Sequence, residues 1–320
     1  MSEIANPSQR GRIDAIDLAR FAALVAMAVY HFTWDLEFFG YVARGTTGQG
    51  GWRLFARAIA SSFLFLAGVS LVLAHGREIR WRPFWTRWLQ VAGGAAAITV
   101  ATYFATPGSF VFFGILHEIA VASLVALLFL RLPWFVTALA AAAVLALPHF
   151  VALPALNTRW LAWIGLFERP PISNDFVPVF PWLGAVLLGV AAGRLATDHR
   201  LWDRLRGLNP RLARAAPLTW LGRHTLLFYL LHQPLLMAVV WLATQVAPPD
   251  LSARFQDDCR RQCLASQSEA LCANYCGCAE RELDARGIMD SVMAGAGEQS
   301  ARDALEEVVR LCSFEALDPQ

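Results

Sequence analysis

Apolar stretches long enough to cross a bilayer recur through the first 250 residues, and nothing else in the chain limits its fold as much. They run over about 16–38, 54–75, 86–105, 109–130, 133–152, 178–196 and 217–247. Backbone in hydrocarbon must satisfy its own hydrogen bonds, so such stretches form helices. The chain is 57% hydrophobic with a mean hydropathy of +0.44, and its 12 Trp suit rings placed at bilayer interfaces. The expected fold class is all-α. A polytopic membrane helix bundle of about seven spans covers residues 1–250, and a small Cys-rich helical C-terminal tail covers 251–320.

Charge placement orients this bundle. All 27 basic residues are Arg. The N-terminal segment, 76–87, Arg131 and 197–216 hold most of the loop Arg, so they should be cytoplasmic. The loops 39–53, 106–108 and 153–177 hold few and should lie outside. Seven spans with the N-terminus inside then put 251–320 outside, which in a bacterial inner membrane is the periplasm. The apolar run after Arg20 is long and lacks a small-residue cleavage site, so it reads as the first span and not as a cleavable signal. Residues 1–250 carry 20 Arg against 12 acids, while the tail carries 7 against 13. A basic membrane body thus precedes an acidic soluble tail.

The cysteines test that topology independently. All six (Cys259, Cys263, Cys272, Cys276, Cys278 and Cys312) lie in the tail. An even set confined to one small segment reads as a disulfide framework, which needs an oxidising compartment. The spacing C-x3-C, eight residues, C-x3-C puts each pair on one face of a helix, and a helical hairpin brings the two faces together. The expected pairs are Cys259–Cys276 and Cys263–Cys272, leaving Cys278 for Cys312. Zinc is the rival use, but the tail has no His and no CxxC pair, so no metal is expected.

Ionisable residues inside the apolar stretches are the candidates for chemistry, because titratable groups in hydrocarbon are costly. His31 and Asp35 are four residues apart on one face of the first span; a carboxylate beside an imidazole fixes its tautomer and raises its basicity, as a general base requires. His117 follows Gly114 in the fourth span, roughly 12 Å in at 1.5 Å per residue, and Glu118 points elsewhere. The bland alternative for each His is a structural hydrogen bond between helices. Arg53 and Arg57 share a face at the outer end of the second span, suited to an anion or to lipid headgroups. Asp175 precedes Pro178 and Pro181 at the outer mouth of the sixth span, where it could hold Arg53, hold an acceptor hydroxyl or cap a helix. In the last span Arg223 and His224 lie at the cytoplasmic end, suited to a phosphorylated ligand, while His232 and Gln233 lie deep beside Pro234.

Several of these blocks resemble a known family. Arg12-Ile13-Asp14-Ala15-Ile16-Asp17-Leu18-Ala19-Arg20, followed by His31 and Asp35, resembles the start of the heparan-alpha-glucosaminide N-acetyltransferase catalytic-domain family in its short bacterial form. Phe63-Leu64-Phe65-Leu66-Ala67-Gly68-Val69-Ser70 resembles that family's second helix, and 113–118 and 177–184 resemble further blocks. Residues 221–234 resemble the closing helix of a broader group of membrane acyltransferases. The resemblance implies acyl-CoA (acetyl-CoA) as a cytoplasmic co-substrate, a sugar amine or hydroxyl acceptor on the far side, and a histidine in the transfer. In the lysosomal members that histidine lies in the loop before the second helix. Here the loop reads Gln49-Gly50-Gly51-Trp52-Arg53, so the role falls to His31 or His117.

The expected function is an integral membrane acyltransferase, with His31, Asp35 and His117 catalytic. Arg53, Asp175, Glu118, His232 and Gln233 are expected to bind substrate, and Arg223 and His224 acyl-CoA. Its partners are acyl-CoA, a glycan or small-molecule acceptor and the lipid bilayer; no nucleic acid is expected, and a homodimer is left open. A proton-coupled transporter would use intramembrane His and Asp equally well, although no internal repeat supports it. A scaffold whose working part is the tail is the third option.

Overall fold

The computed structural model describes residues 12–294 and 299–317. Helices α1 (Asp14–Phe38), α2 (Gly50–His75) and α3 (Trp81–Ala105) come first, followed by the shorter α4 (Ile115–Ala126) and α5 (Trp134–Ala146). Then come α6 (Val179–Asp198), α7 (Leu201–Arg206), α8 (Asn209–Leu212), α9 (Ala216–Arg223) and α10 (Thr225–Val246). The tail forms α11 (Leu251–Cys263), α12 (Glu269–Ala285), α13 (Met289–Ala294) and α14 (Gln299–Leu317).

Among the described residues, five helices are long and apolar enough to cross a membrane: α1, α2, α3, α6 and α10. The other two expected spans form shorter apolar helices, Ile115–Phe129 and Trp134–His149. Residues before Gly114 do not join α4; Phe113 instead bridges Phe176 in parallel. Pro148 shortens α5 to a final 3-10 turn, Leu147–His149, since proline lacks the amide that helix continuation needs. The expected stretch 217–247 is broken at His224 into α9 and α10.

The described chain forms two compact units. One takes in residues up to Ala28 together with Leu54–Gln233; the other is Val29–Arg53 with Pro234–Gln320. In the first, α6 is the most enclosed of the long helices. Its Val186, Leu187 and Val190 pack with Leu64 and Val72 of α2, Ala122 and Ala126 of α4 and Ala141 of α5. Glycine makes that packing close: a side chain on Gly68 of α2 would strike the backbone of Val186, and one on Gly189 of α6 would strike that of Phe65. Small residues that let backbones approach are the usual means of joining helices in lipid, where no hydrophobic force acts between them.

The second unit is built around the tail. Helix α11 starts at Asp250, whose carboxylate accepts from the Ala253 amide at 2.9 Å, and α12 starts at Ser268, capping Leu271 at 3.4 Å. Disulfides Cys259–Cys276 and Cys263–Cys272 join α11 to α12, and Cys278–Cys312 joins α12 to α14. The first two are the pairs expected from the spacing, and the third is the pair that remained. Beneath them a small core gathers Ala279, Leu283, Met289, Met293 and Val308.

Candidate active site

The first unit collects positive charge where several helices end. Asp17, in the first turn of α1, accepts from Arg20 Nη1 at 2.6 Å and from Arg223 Nε at 3.2 Å. Arg20 also reaches Ser70 Oγ on α2 at 2.6 Å, and Arg223 lies 3.6 Å from Asp14. This junction depends on Gly222, because a side chain there would strike the Asp17 carbonyl. Arg80 Nε donates to the Ala74 carbonyl at 3.2 Å and Arg87 Nη1 to Gln90 at 3.4 Å. Among the described residues neither of these two forms an ion pair.

Arg20, Arg80, Arg87 and Arg223 all line one cavity of about 430 Å³. Among the described residues, Asp14 and Asp17 are the only acids paired with the four guanidiniums, so the cluster keeps an excess of positive charge. The rest of the wall is mostly apolar, with Phe84, Trp88 and Ile119, and it also includes Ile115 and Tyr229. A charged end on an apolar slot of this size suits a ligand with an anionic head and an apolar arm.

The Tyr229 hydroxyl donates to Asp175 Oδ2 at 3.4 Å, and the same oxygen accepts from the Ile115 amide at 3.0 Å. Asp175, from the connection before α6, thus caps α4 across 60 residues of sequence. Burial pushes its carboxyl up, against the opposing pull of these two hydrogen bonds. Gly114 leaves the room: a side chain there would meet the Asp175 carboxylate.

His117 closes the same helix start. Its Nδ1 accepts from the Gly114 amide at 3.2 Å, so the neutral ring carries its proton on Nε2. That nitrogen lies 3.2 Å from Thr99 Oγ1, which itself donates to the Val111 carbonyl at 2.7 Å. Both nitrogens of His117 are therefore engaged in holding helix α4 and the segment before it. Glu118 beside it is fully buried, and neither carboxylate oxygen has a hydrogen-bond partner among the described residues.

The remaining expected residues scatter. His232 is buried on α10, its Nδ1 donating to the Tyr229 carbonyl at 2.7 Å, and Gln233 follows it half-buried. His224 is exposed, its ring tilted against Trp220 with ring centres 4.3 Å apart; of the expected Arg223–His224 pair, only Arg223 lines the cavity. In the second unit His31 is half-buried with its ring edge-on to Tyr30, Asp35 is fully buried one turn on, and Arg53 is exposed. Sequence reasoning passed over Asp17 and Glu37. Asp17 had a local signal, since it stands three residues before Arg20 on one helix face. Glu37 had none: it accepts from the Gly45 amide at 2.6 Å and from the Thr47 amide and hydroxyl at 2.9 and 2.8 Å, all within a loop.

The class these features define is a membrane protein whose apolar helices surround a slot with a cationic end. Residues 12–234 match the family described as heparan-alpha-glucosaminide N-acetyltransferase, catalytic, and the chain belongs to that family. Membership makes acetyl transfer in a membrane setting its activity class. No curated protein and no solved structure matches the chain. The disulfide tail lies outside the family match.

Proposed function

We propose that the chain is a bacterial inner-membrane acyltransferase of seven spans. It takes an acetyl or other acyl group from acyl-CoA on the cytoplasmic side and delivers it to an amino-sugar or hydroxyl acceptor on the periplasmic side. The observation that carries this reading is the excess of guanidinium at one end of an apolar cavity. Arg80 and Arg87, free of ion pairs among the described residues, meet the CoA phosphates, helped by Arg20 and Arg223, which Asp14 and Asp17 hold in place. The acyl-bearing arm lies along Phe84, Trp88 and Ile119 toward Tyr229. The Arg-rich loops near this cluster favour the cytoplasmic face.

His31, oriented by Asp35, takes the acceptor's proton as its nitrogen or oxygen attacks the thioester carbonyl. One base suffices for direct transfer, with the thiol of CoA as leaving group. The structural engagement of both His117 nitrogens supports His31 as the base and His117 as the residue that shapes the α4 start.

Purified protein is incubated with radiolabelled acetyl-CoA and a panel of amino sugars and hydroxyl acceptors. Arg87→Gln is expected to weaken acetyl-CoA binding about tenfold, the loss of one charged contact to phosphate. His31→Ala is expected to retain binding and lose transfer. Failure of the parent protein to bind acetyl-CoA sinks the donor assignment; full transfer by His31→Ala sinks the base. The unpartnered, buried Glu118 favours one second reading, a proton-coupled carrier. Substrate-driven proton uptake into liposomes, abolished by Glu118→Gln, would support that reading instead.

A further inference from the structure

The tail lies beyond the family match, yet the second unit ties it repeatedly to the connection between α1 and α2. Arg254 on α11 donates from Nη2 to the Glu37 carbonyl at 3.2 Å, in the last turn of α1. The Tyr41 hydroxyl donates to the Ala247 carbonyl at 2.6 Å. Arg261, also on α11, reaches the Arg44 carbonyl at 3.4 Å, while the Arg44 guanidinium donates to the Met293 carbonyl on α13. Gly40 has φ +99°, and Arg254, Leu251 and Pro249 pack against its α-carbon where a side chain would otherwise project. Left-handed backbone of this kind favours glycine, and here it also admits the arginine.

These ties meet a loop that is already internally ordered. Glu37 gathers three donors from Gly45 and Thr47, and Thr47 is itself buried, its carbonyl accepting from the Tyr30 hydroxyl at 3.4 Å. Arg254 and Arg261 bind backbone carbonyls of the connection and so constrain its chain path, while Tyr41 and Arg44 anchor their side chains on the carbonyls of Ala247 and Met293. The side of the clamp that grips is rigid in turn. Helix α11, which bears Arg254 and Arg261, is bound twice to α12 by disulfides, and Met293 packs in the core that contains Cys278 and Cys312.

We propose that the disulfide tail is a clamp that sets the conformation of the α1–α2 connection, with Arg44 and Arg254 as its positioning residues. Through Glu37 and Tyr41 it fixes the end of α1, on which Asp35 and His31 lie one and two turns back. The clamp serves acceptor chemistry at His31 and leaves donor binding alone. It therefore rests on the reading of His31 as the acceptor's base.

The test uses the full-length protein in detergent and two variants, Arg254→Met and Arg254→Lys. Free thiols are titrated first, to confirm that the three disulfides have formed. Amide hydrogen exchange then follows residues 39–49 and 269–285. In Arg254→Met, exchange at 39–49 is expected to rise about tenfold, as loss of a charged hydrogen bond allows, while 269–285 stays protected. Transfer to acceptor should fall ten- to hundredfold, roughly what a small misplacement of a catalytic group costs, with the acetyl-CoA dissociation constant unchanged. Arg254→Lys, which can still donate to the Glu37 carbonyl, should recover most of the transfer. Unchanged exchange at 39–49 overturns the clamp, and faster exchange with undiminished transfer overturns its positioning role. Separately, full transfer by His31→Ala removes the base assignment without touching the exchange result.

Discussion

The two units are both helical, yet different forces hold them. In the unit that contains α6, helices α2 and α6 meet backbone to backbone at Gly68 and Gly189, and no cysteine is present. In the unit that contains the tail, three disulfides join helices around a core of only a few residues. The difference follows from solvent. Helix α3, wholly within the first of these units, buries little of its apolar surface inside the protein and leaves most of it for lipid, so the bilayer satisfies it without a large internal core. The tail's helices are largely polar and too short to bury much apolar area, the condition under which small domains rely on cross-links.

Three changes would break or sharpen this contrast. The largest effect is expected from Cys278→Ser with Cys312→Ser, which opens a closure between residues 34 apart and should cost the tail about 3–4 kcal/mol. Denaturant titration monitored by exchange in 269–285 measures it, and a loss below the scatter would show that the core alone suffices. Next, Gly68→Leu forces a side chain into the Val186 backbone and should destabilise the glycine-packed unit by about 1–3 kcal/mol, read as a lower melting temperature in detergent with the tail's disulfides intact. Equal melting of parent and variant would mean that the close approach of α2 and α6 contributes nothing to stability.

The smallest effect concerns the tail's surface. Arg286 donates to Glu307 at 2.6 Å, and that bond, then its charge, holds the Glu307 carboxyl below its ordinary value of 4.5. A depressed carboxyl stabilises the fold above its unfolded pKa, and this contribution fades as pH falls through the lower folded value. Parent and Glu307→Gln should therefore differ above pH 4.5 and converge on acidification. The pair is exposed, so salt should shrink the difference further. A gap that widens with acid would reverse the sign and discard the pair as a contributor.

Much of this is legible in the sequence. The apolar runs declared helices in a membrane because hydropathy over twenty residues is a local property. The i, i+4 cysteine spacing anticipated Cys259–Cys276 and Cys263–Cys272 because a helix puts such residues on one face, and Cys278–Cys312 was the pair left over. The blocks at 12–20, 63–70, 113–118, 177–184 and 221–234 pointed to the family. Where helices stop was less legible. Residues 109–130 are mostly apolar, but the pairing of Phe113 with Phe176 holds the first part extended, and no local signal announces a partner 63 residues away.

The chemistry of individual residues divided along the same line. Sequence alone determined which titratable groups lie in apolar surroundings, since that depends only on their neighbours in the chain. Tertiary structure decided what each one touches. His117 is a helix-capping residue because Gly114 and Thr99 occupy its two nitrogens, Asp175 serves Ile115 and Tyr229, and Arg223 finds Asp17 across 206 residues. Helix hydrogen bonds close within four residues and can be read from spacing; contacts between helices depend on how the whole chain packs, and for these the spacing carries no information.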